Sequence, residues 1–130
     1  MKYRIDVIKK LLNVAHESEL PHTTNIALMG VIKQEYSEYV DEYFVAYTKV
    51  LDELSLMKSN ANGFGVVSSM NGTYSLFQTN VWLTYQGQEF IEKLNDDTIW
   101  KKIYFGGKEV SFSLLKELAP SMLKQFIMGL

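Results

Sequence analysis

The chain has no cysteine, which removes disulfides, thiolate nucleophiles and Cys-based zinc sites and fits a reducing compartment. Histidine occurs only as His16 and His22, and neither stands at metal-ligand spacing from a carboxylate pair, so metal chemistry has no support. Arginine, the commonest base-reading side chain in the major groove, occurs once, as Arg4. Long apolar runs are missing as well: none approaches the ~18 residues of a membrane span. The opening MKYRIDVIKKLL carries charges where a signal peptide needs an uninterrupted apolar core. These absences lead to the expectation of a cytoplasmic protein with no cofactor and no membrane partner.

Apolar and aromatic residues are plentiful. Hydrophobic residues make up 47% of the 130 positions and aromatics 13%, enough for residues 1–130 to form a single domain with its own core. The net charge of -2 lacks the basic excess usual in an autonomous nucleic-acid binder.

Periodicity divides the chain into elements. Ile5, Ile8, Leu11, Leu12 and Ala15 fall on one helical stripe from Tyr3 to about His16. A loop follows at Ser18–Thr23, where Pro21 biases Leu20 away from helical dihedrals. Residues 24–34 are either a short helix capped by Thr24 or Asn25, or a short strand, since Gly30 and β-branched residues sit in the middle. Ser37 can cap a long helix ending near Met57, with Val40, Phe44, Tyr47, Leu51 and Leu54 on its inner face. The polar, glycine-rich stretch from Lys58 to Gly65 reads as a loop. Asn71-Gly72 suits a two-residue turn with positive φ at both positions, giving a β-hairpin from about Phe64 to Leu83. Thr84 is the natural cap of a helix over Tyr85–Leu94 that buries Phe90, Ile91 and Leu94, and Asp97 can cap a restart at Thr98–Tyr104. Gly106-Gly107 form a hinge. A last helix begins at Ser111 or Ser113, carries Leu114, Leu115, Leu118, Met122, Leu123, Phe126 and Ile127, and is kinked by Pro120.

No constellation of catalytic groups emerges. Asp96-Asp97 read as helix caps rather than an acid–base pair. Gly63-x-Gly65 lacks the strand, helix and Lys-Ser/Thr of a phosphate loop. Ser68-Ser69 and the Ser111/Ser113 pair have no histidine at a recognisable offset. Between Glu35 and Leu56, Lys49 stands alone against Glu35, Glu38, Asp41, Glu42, Asp52 and Glu53, and Ser59–Trp82 contains no Lys or Arg. Such a helix would set carboxylates against DNA phosphates, and such a hairpin lacks the groups that usually secure a wing to the backbone. Positive charge gathers instead at Lys2, Arg4, Lys9 and Lys10 and at Lys101, Lys102 and Lys108, where a solvated face is the simpler explanation. Tyr36, Tyr39, Tyr43 and Tyr47 recur at spacings of three or four, forming either a core face or, beside the acidic residues, an amphipathic protein-binding surface.

Leu83-Thr84-Tyr85-Gln86-Gly87-Gln88-Glu89-Phe90 followed by Asp96-Asp97-Thr98-Ile99-Trp100-Lys101-Lys102 resembles the signature of a winged-helix family of phage and prophage proteins. The opening MKYRIDVIKKLL, the segment YFVAYTKVLDELSLM and the final VSFSLLKELAPSMLKQF are similar to other helices of that family. The chain departs from the family at Tyr47, where a histidine is frequent, at Leu54-Ser55, where Ala-Gly is frequent, and over Thr24–Tyr36, which is longer. The resemblance implies a winged helix, a phage or mobile-element origin and a bacterial host cytoplasm. The family has no established activity, so it assigns no functional residue.

The expectation is therefore an α+β winged helix-turn-helix with a β-hairpin wing. Residues 1–83 form its core and 84–130 a helical C-terminal extension. It acts without catalysis as an acidic protein–protein interaction module that engages a host or phage protein, a defence nuclease being one such target. Glu38, Tyr39, Asp41, Glu42, Tyr43, Asp52 and Glu53 are the candidate protein-binding residues. The alternative is a DNA-binding transcriptional regulator, homodimeric through the C-terminal helix, with Lys2, Arg4, Lys9, Lys10, Lys101 and Lys102 as its basic patch.

Overall fold

The first helix, expected from Tyr3, begins instead at Ile5. In the computed structural model, which describes residues 1–105 and 109–117, Tyr3–Arg4 form a strand, β1, ahead of helix α1 (Ile5–His16). The expected apolar stripe of α1 is buried at Ile5, Ile8, Leu11 and Leu12, and Val7 is buried as well. It is covered because α1 packs against helices on two sides, α2 (Asn25–Glu35) and α4 (Tyr85–Leu94).

The ambiguous segment after the loop resolves into both alternatives in turn. Thr23–Thr24 form a short strand, β2, and α2 follows, with the Thr24 hydroxyl accepting the Ala27 N–H at 3.3 Å. Leu28, Met29 and Ile32 are its buried apolar face. The next helix, α3, spans Val40–Glu53, shorter at both ends than the expected Ser37–Met57. Ser37 does not cap it; the preceding residue, Tyr39, takes a left-handed conformation with φ 55°. At the far end Ser55, at φ 57°, turns the chain so that Met57 enters a strand.

The stretch expected to be a loop from Lys58 starts as that strand, β3 (Met57–Ser59). A tight turn over Asn62–Gly65 then leads to β4 (Val66–Ser68), which pairs with β5 (Tyr74–Leu76) as an antiparallel hairpin. Its loop is longer than the expected two residues. The Gly72 N–H donates to Ser69 O and the Ser69 N–H to Thr73 O, and of Asn71 and Gly72 only the glycine has positive φ, 82°. This is a type I turn closed by a left-handed glycine. Nor does the hairpin run on to Leu83: the chain leaves it after Leu76, and β6 (Asn80–Leu83) becomes the centre of a separate antiparallel sheet ordered β2-β6-β3.

Helix α4 matches its expected bounds, with Phe90, Ile91 and Leu94 buried. The Thr84 hydroxyl accepts the Gly87 N–H at 2.9 Å and donates to Ser55 O, and the Thr84 N–H donates to Leu56 O at 3.1 Å. A Cβ on Gly87 would lie 1.9 Å from that same Leu56 carbonyl oxygen. Threonine and glycine of the Leu-Thr-x-x-Gly-x-Glu-Phe pattern thus dock the start of α4 on the turn that ends α3. At the other end of α4, Asn13 and Asn95 exchange two side-chain hydrogen bonds of 3.1 and 2.9 Å, joining it to α1.

Helix α5 (Asp97–Phe105) restarts after Asn95, but Asp96 caps it, through an Oδ1 contact to the Ile99 N–H of 3.1 Å, rather than Asp97. A final strand, β7 (Glu109–Val110), pairs with β1. Ser111 then caps a helical stretch over 112–117 that buries Leu115. The hinge at Gly106-Gly107, the Pro120 kink, and Leu118, Met122, Leu123, Phe126 and Ile127 lie outside the described residues. Among the described residues no helix is long and apolar enough to cross a membrane.

The Gly87 contact admits no side chain, so Gly87→Ala should cost about 3 kcal/mol or more of unfolding free energy. Gly30, in the middle of α2 with nothing within 4 Å of an added Cβ, should behave oppositely, Gly30→Ala gaining about 0.5–1 kcal/mol. Urea denaturation of the two variants checks both signs.

Candidate protein-binding surface

The tyrosine stripe divides between core and surface. Tyr47 is fully buried. Its hydroxyl accepts the Arg4 backbone N–H at 2.8 Å and shares a 2.7 Å hydrogen bond with the Tyr36 hydroxyl. Burial first, and then the bond to Tyr36, push the Tyr47 phenol far above its ordinary range. Tyr43, an expected surface residue, is half-buried and stacks on Tyr36 with ring centroids 3.8 Å apart. Tyr3 meets Tyr47 edge-on at 5.4 Å. Only Tyr39, 70% exposed, stands out from the surface.

Around this aromatic cluster the expected basic patch is partly consumed. The Arg4 guanidinium bonds Asp6 at 2.7 and 3.2 Å and Glu35 at 3.0 Å, and Lys10 reaches the other oxygen of Glu35. The Lys10 hydrogen bond, helped by Arg4 and opposed by burial, holds the Glu35 carboxyl below its usual range. At Asp6 burial is the largest influence and opposes ionisation. The hydrogen bond and charge of Arg4, with the Asp6 and Val7 N–H groups, outweigh it and lower that carboxyl too. Lys9 lies over the Trp100 ring, 4.1 Å from its centroid. Lys2, Lys101 and Lys102 are exposed, and Lys108 lies outside the described residues.

The candidate carboxylates fall into two groups along α3. Glu38, Asp41 and Glu42 are exposed at its start, with no salt-bridge partner among the described residues. Near its end Asp52 is bonded to Lys58 of β3 at 2.9 Å, and Glu53 stands 3.9 Å from Lys49. One end of the helix therefore carries uncompensated negative charge and the other is close to neutral.

Facing α3 is the β4–β5 hairpin. Its cross-strand partners Val66↔Leu76 and Ser68↔Tyr74 share one face, since side chains alternate along a strand. Between that face and α3 runs a cleft of about 260 Å³ lined by Val45, Thr48, Lys49, Asp52, Gly63, Phe64, Val66, Ser68 and Tyr74. A smaller recess extends it toward Asp41 and shares Val45, Val66 and Tyr74 with it. Thr48 turns its hydroxyl back to Phe44 O at 2.8 Å and Val45 O at 3.2 Å, so its polar group is satisfied within α3. Val67 and Met70 on the hairpin and Phe77 just after it are exposed, and no charged residue occurs from Ser59 to Trp82.

A buried side chain holds this hairpin in place. Asn25, fully buried at the start of α2, donates from Nδ2 to Phe64 O at 2.9 Å and Phe77 O at 2.8 Å and accepts the Thr79 N–H at 3.1 Å. Gly63, Phe64 and Gly65 are all left-handed, with φ 64°, 56° and 79°. A Cβ on Gly65 would stand 2.5 Å from Phe77 O and 2.6 Å from Asn25 Nδ2. Left-handed backbone is costly for Phe64, and the Asn25 bond to its carbonyl helps to hold it there. Phe64 and Asn25 were missed in the sequence. The glycines flanking Phe64 are a local cue to a left-handed turn, whereas nothing local marks Asn25 as buried.

Among the described residues no group of three or more His, Cys, Asp or Glu could hold a metal ion. His16 Nδ1 contacts Gln88 Nε2 at 3.2 Å, a link between α1 and α4. No protein-family model, curated protein or solved structure matches the chain.

Two outcomes follow from these bonds. Asn25→Leu leaves the Phe64 and Phe77 carbonyls and the Thr79 N–H without this partner and should cost about 3 kcal/mol or more, measurable by thermal or urea denaturation. The Glu35 carboxyl ionises more readily folded than unfolded. Its stabilisation is thus complete above the unfolded value of about 4.3 and lost as pH falls through the lower folded value. The stability gap between wild type and Glu35→Gln should therefore be widest near neutral pH and close in acid, as a denaturation series from pH 7 to pH 2.5 will reveal.

Proposed function

We propose that the protein is a winged-helix, non-enzymatic binding module of phage or mobile-element origin that engages a host or phage protein through the start of α3 and the hairpin. The β2-β6-β3 strand order, preceded by α1, α2 and α3 and accompanied by a hairpin between β3 and β6, supports the winged-helix assignment, with the hairpin as wing. The phage origin rests on the signature from Leu83 to Lys102.

The observation that carries the binding reading is the character of the α3–wing surface. Exposed carboxylates at Glu38, Asp41 and Glu42, with no salt-bridge partner among the described residues, adjoin the exposed Tyr39 and an uncharged wing bearing Val67 and Met70, with Phe77 just after it. Apolar and aromatic groups supply contact area at a protein interface, and the carboxylates select a basic partner. A host defence nuclease fits as one version, its basic nucleic-acid channel receiving these three carboxylates. Asp52 and Glu53 contribute less, because Lys58 and Lys49 already oppose them.

A DNA-binding regulator has less support. The surface that would enter the major groove is acidic, and Arg4 and Lys10 of the basic patch are committed to Asp6 and Glu35. The homodimer seam of that reading falls mainly on residues beyond 117.

Affinity capture from a bacterial lysate, with and without nuclease treatment, tests the proposal by mass spectrometry. A protein recovered equally in both conditions, and reduced at least tenfold with the triple variant Glu38→Gln, Asp41→Asn, Glu42→Gln, is the expected result. Recovery of DNA, with the proteins lost on nuclease treatment, would put the regulator first.

A further inference from the structure

We propose that the cleft between α3 and the hairpin seats a short extended segment of a partner protein, with an apolar side chain at one end and a lysine or arginine two or three residues away at the other. This rests on the protein-binding reading and specifies the chemistry of the segment that is bound.

The cleft is polarised along its length. At its wider end the lining includes Thr48, Phe64 and Val66, and the neighbouring charges Lys49 and Asp52 are each matched by an opposite charge. An apolar anchor meets no unbalanced charge there. The recess at the other end reaches Asp41, whose carboxylate is exposed and has no salt-bridge partner among the described residues, with Glu38 and Glu42 nearby on the same stretch and no positive group on the facing hairpin. A cation is the complementary group at that end. From Asp41 to Thr48 the helix rises roughly 10 Å at 1.5 Å per residue. An extended chain covers that in about three residues at 3.3 Å each, which sets the spacing between anchor and cation.

The probe is a capped tetrapeptide of leucine, two threonines and arginine, titrated into the full protein and followed by amide chemical shifts. A matched peptide ending in glutamate is the control. The arginine peptide is expected to saturate shifts clustered at Val45, Thr48, Gly63, Val66 and Tyr74. It should bind roughly fivefold more weakly to Asp41→Asn or in high salt, the scale of one exposed ion pair, and the glutamate peptide should bind more weakly still. Thr48→Leu, which adds bulk at the floor of the cleft and leaves α3 helix-compatible, should weaken the clustered shifts while the remaining spectrum stays folded. Equal response to both peptides, shifts centred on Lys9 and Trp100, or no arginine-peptide response at millimolar concentration would overturn the inference. The two proposals separate cleanly. A captured protein that needs Glu38, Asp41 and Glu42 but ignores Thr48→Leu removes this inference and keeps the protein-binding reading. Peptide binding in the cleft without any captured protein leaves the cleft's preference for an apolar–cationic segment standing and counts against the protein-binding reading from which its partner was drawn.

Discussion

One buried carboxamide, that of Asn25, ties the base of the hairpin to the start of α2. It is fully buried and uses both side-chain N–H groups and its oxygen on backbone groups of Phe64, Phe77 and Thr79, segments that precede and follow the hairpin. A carboxamide offers a donor pair and an acceptor in one rigid plane, so it can join both ends of an excursion at once. In an apolar interior each unmade bond would be expensive, which makes alternative positions of the hairpin base unfavourable. The left-handed Phe64, and with it part of the cleft lining, is downstream of that constraint.

Elements governed by local rules were legible in the sequence. The α1 stripe, the Thr84 cap and the bounds of α4 follow from spacing and capping, and those interactions lie within a few residues of one another. Where long-range pairing decides, sequence reasoning fell short. Tyr3 and Arg4 have no local reason to leave the first helix, and do so because Glu109–Val110 pair with them. Met57–Ser59 look like the start of a polar loop and become a strand because β6 supplies the ladder. Asn71-Gly72 suited the tightest turn, yet bonds among Ser69, Asn71 and Thr73 accompany the longer loop. The candidate surface divides in the same way. Residue type identified the carboxylates of α3, whereas their pairing with Lys58 and Lys49, and the turning inward of Tyr36, Tyr43 and Tyr47, depend on the tertiary arrangement.

The distribution of charge separates two kinds of work. Charges near β1 form a closed set, half-buried Arg4, Asp6 and Glu35 with exposed Lys10, in which Arg4 lies over the Tyr36 ring and β1 and α1 are tied to the end of α2. Those groups contribute to architecture and leave little net field. The start of α3 has the opposite character, with carboxylates in the first turn where the helix dipole favours them and no salt-bridge partner among the described residues. The residues of the Leu-Thr-x-x-Gly pattern belong with the architectural groups. Thr84 and Gly87 are explained by the approach of α4 to Ser55 and Leu56.

The pairing of β1 with β7 bears on the order in which the molecule assembles. Tyr3 faces Val110 and Arg4 faces Glu109, so the ladder joins segments separated by more than a hundred residues of chain. Closing so large a loop costs entropy that two residues of pairing cannot offset alone. The contact can persist only after the helices between have collapsed and carried the two strands together, and on a ribosome it must wait until residue 110 has emerged. Until then β1 has no strand partner, and this ladder would be among the first parts of the fold to open and the last to close.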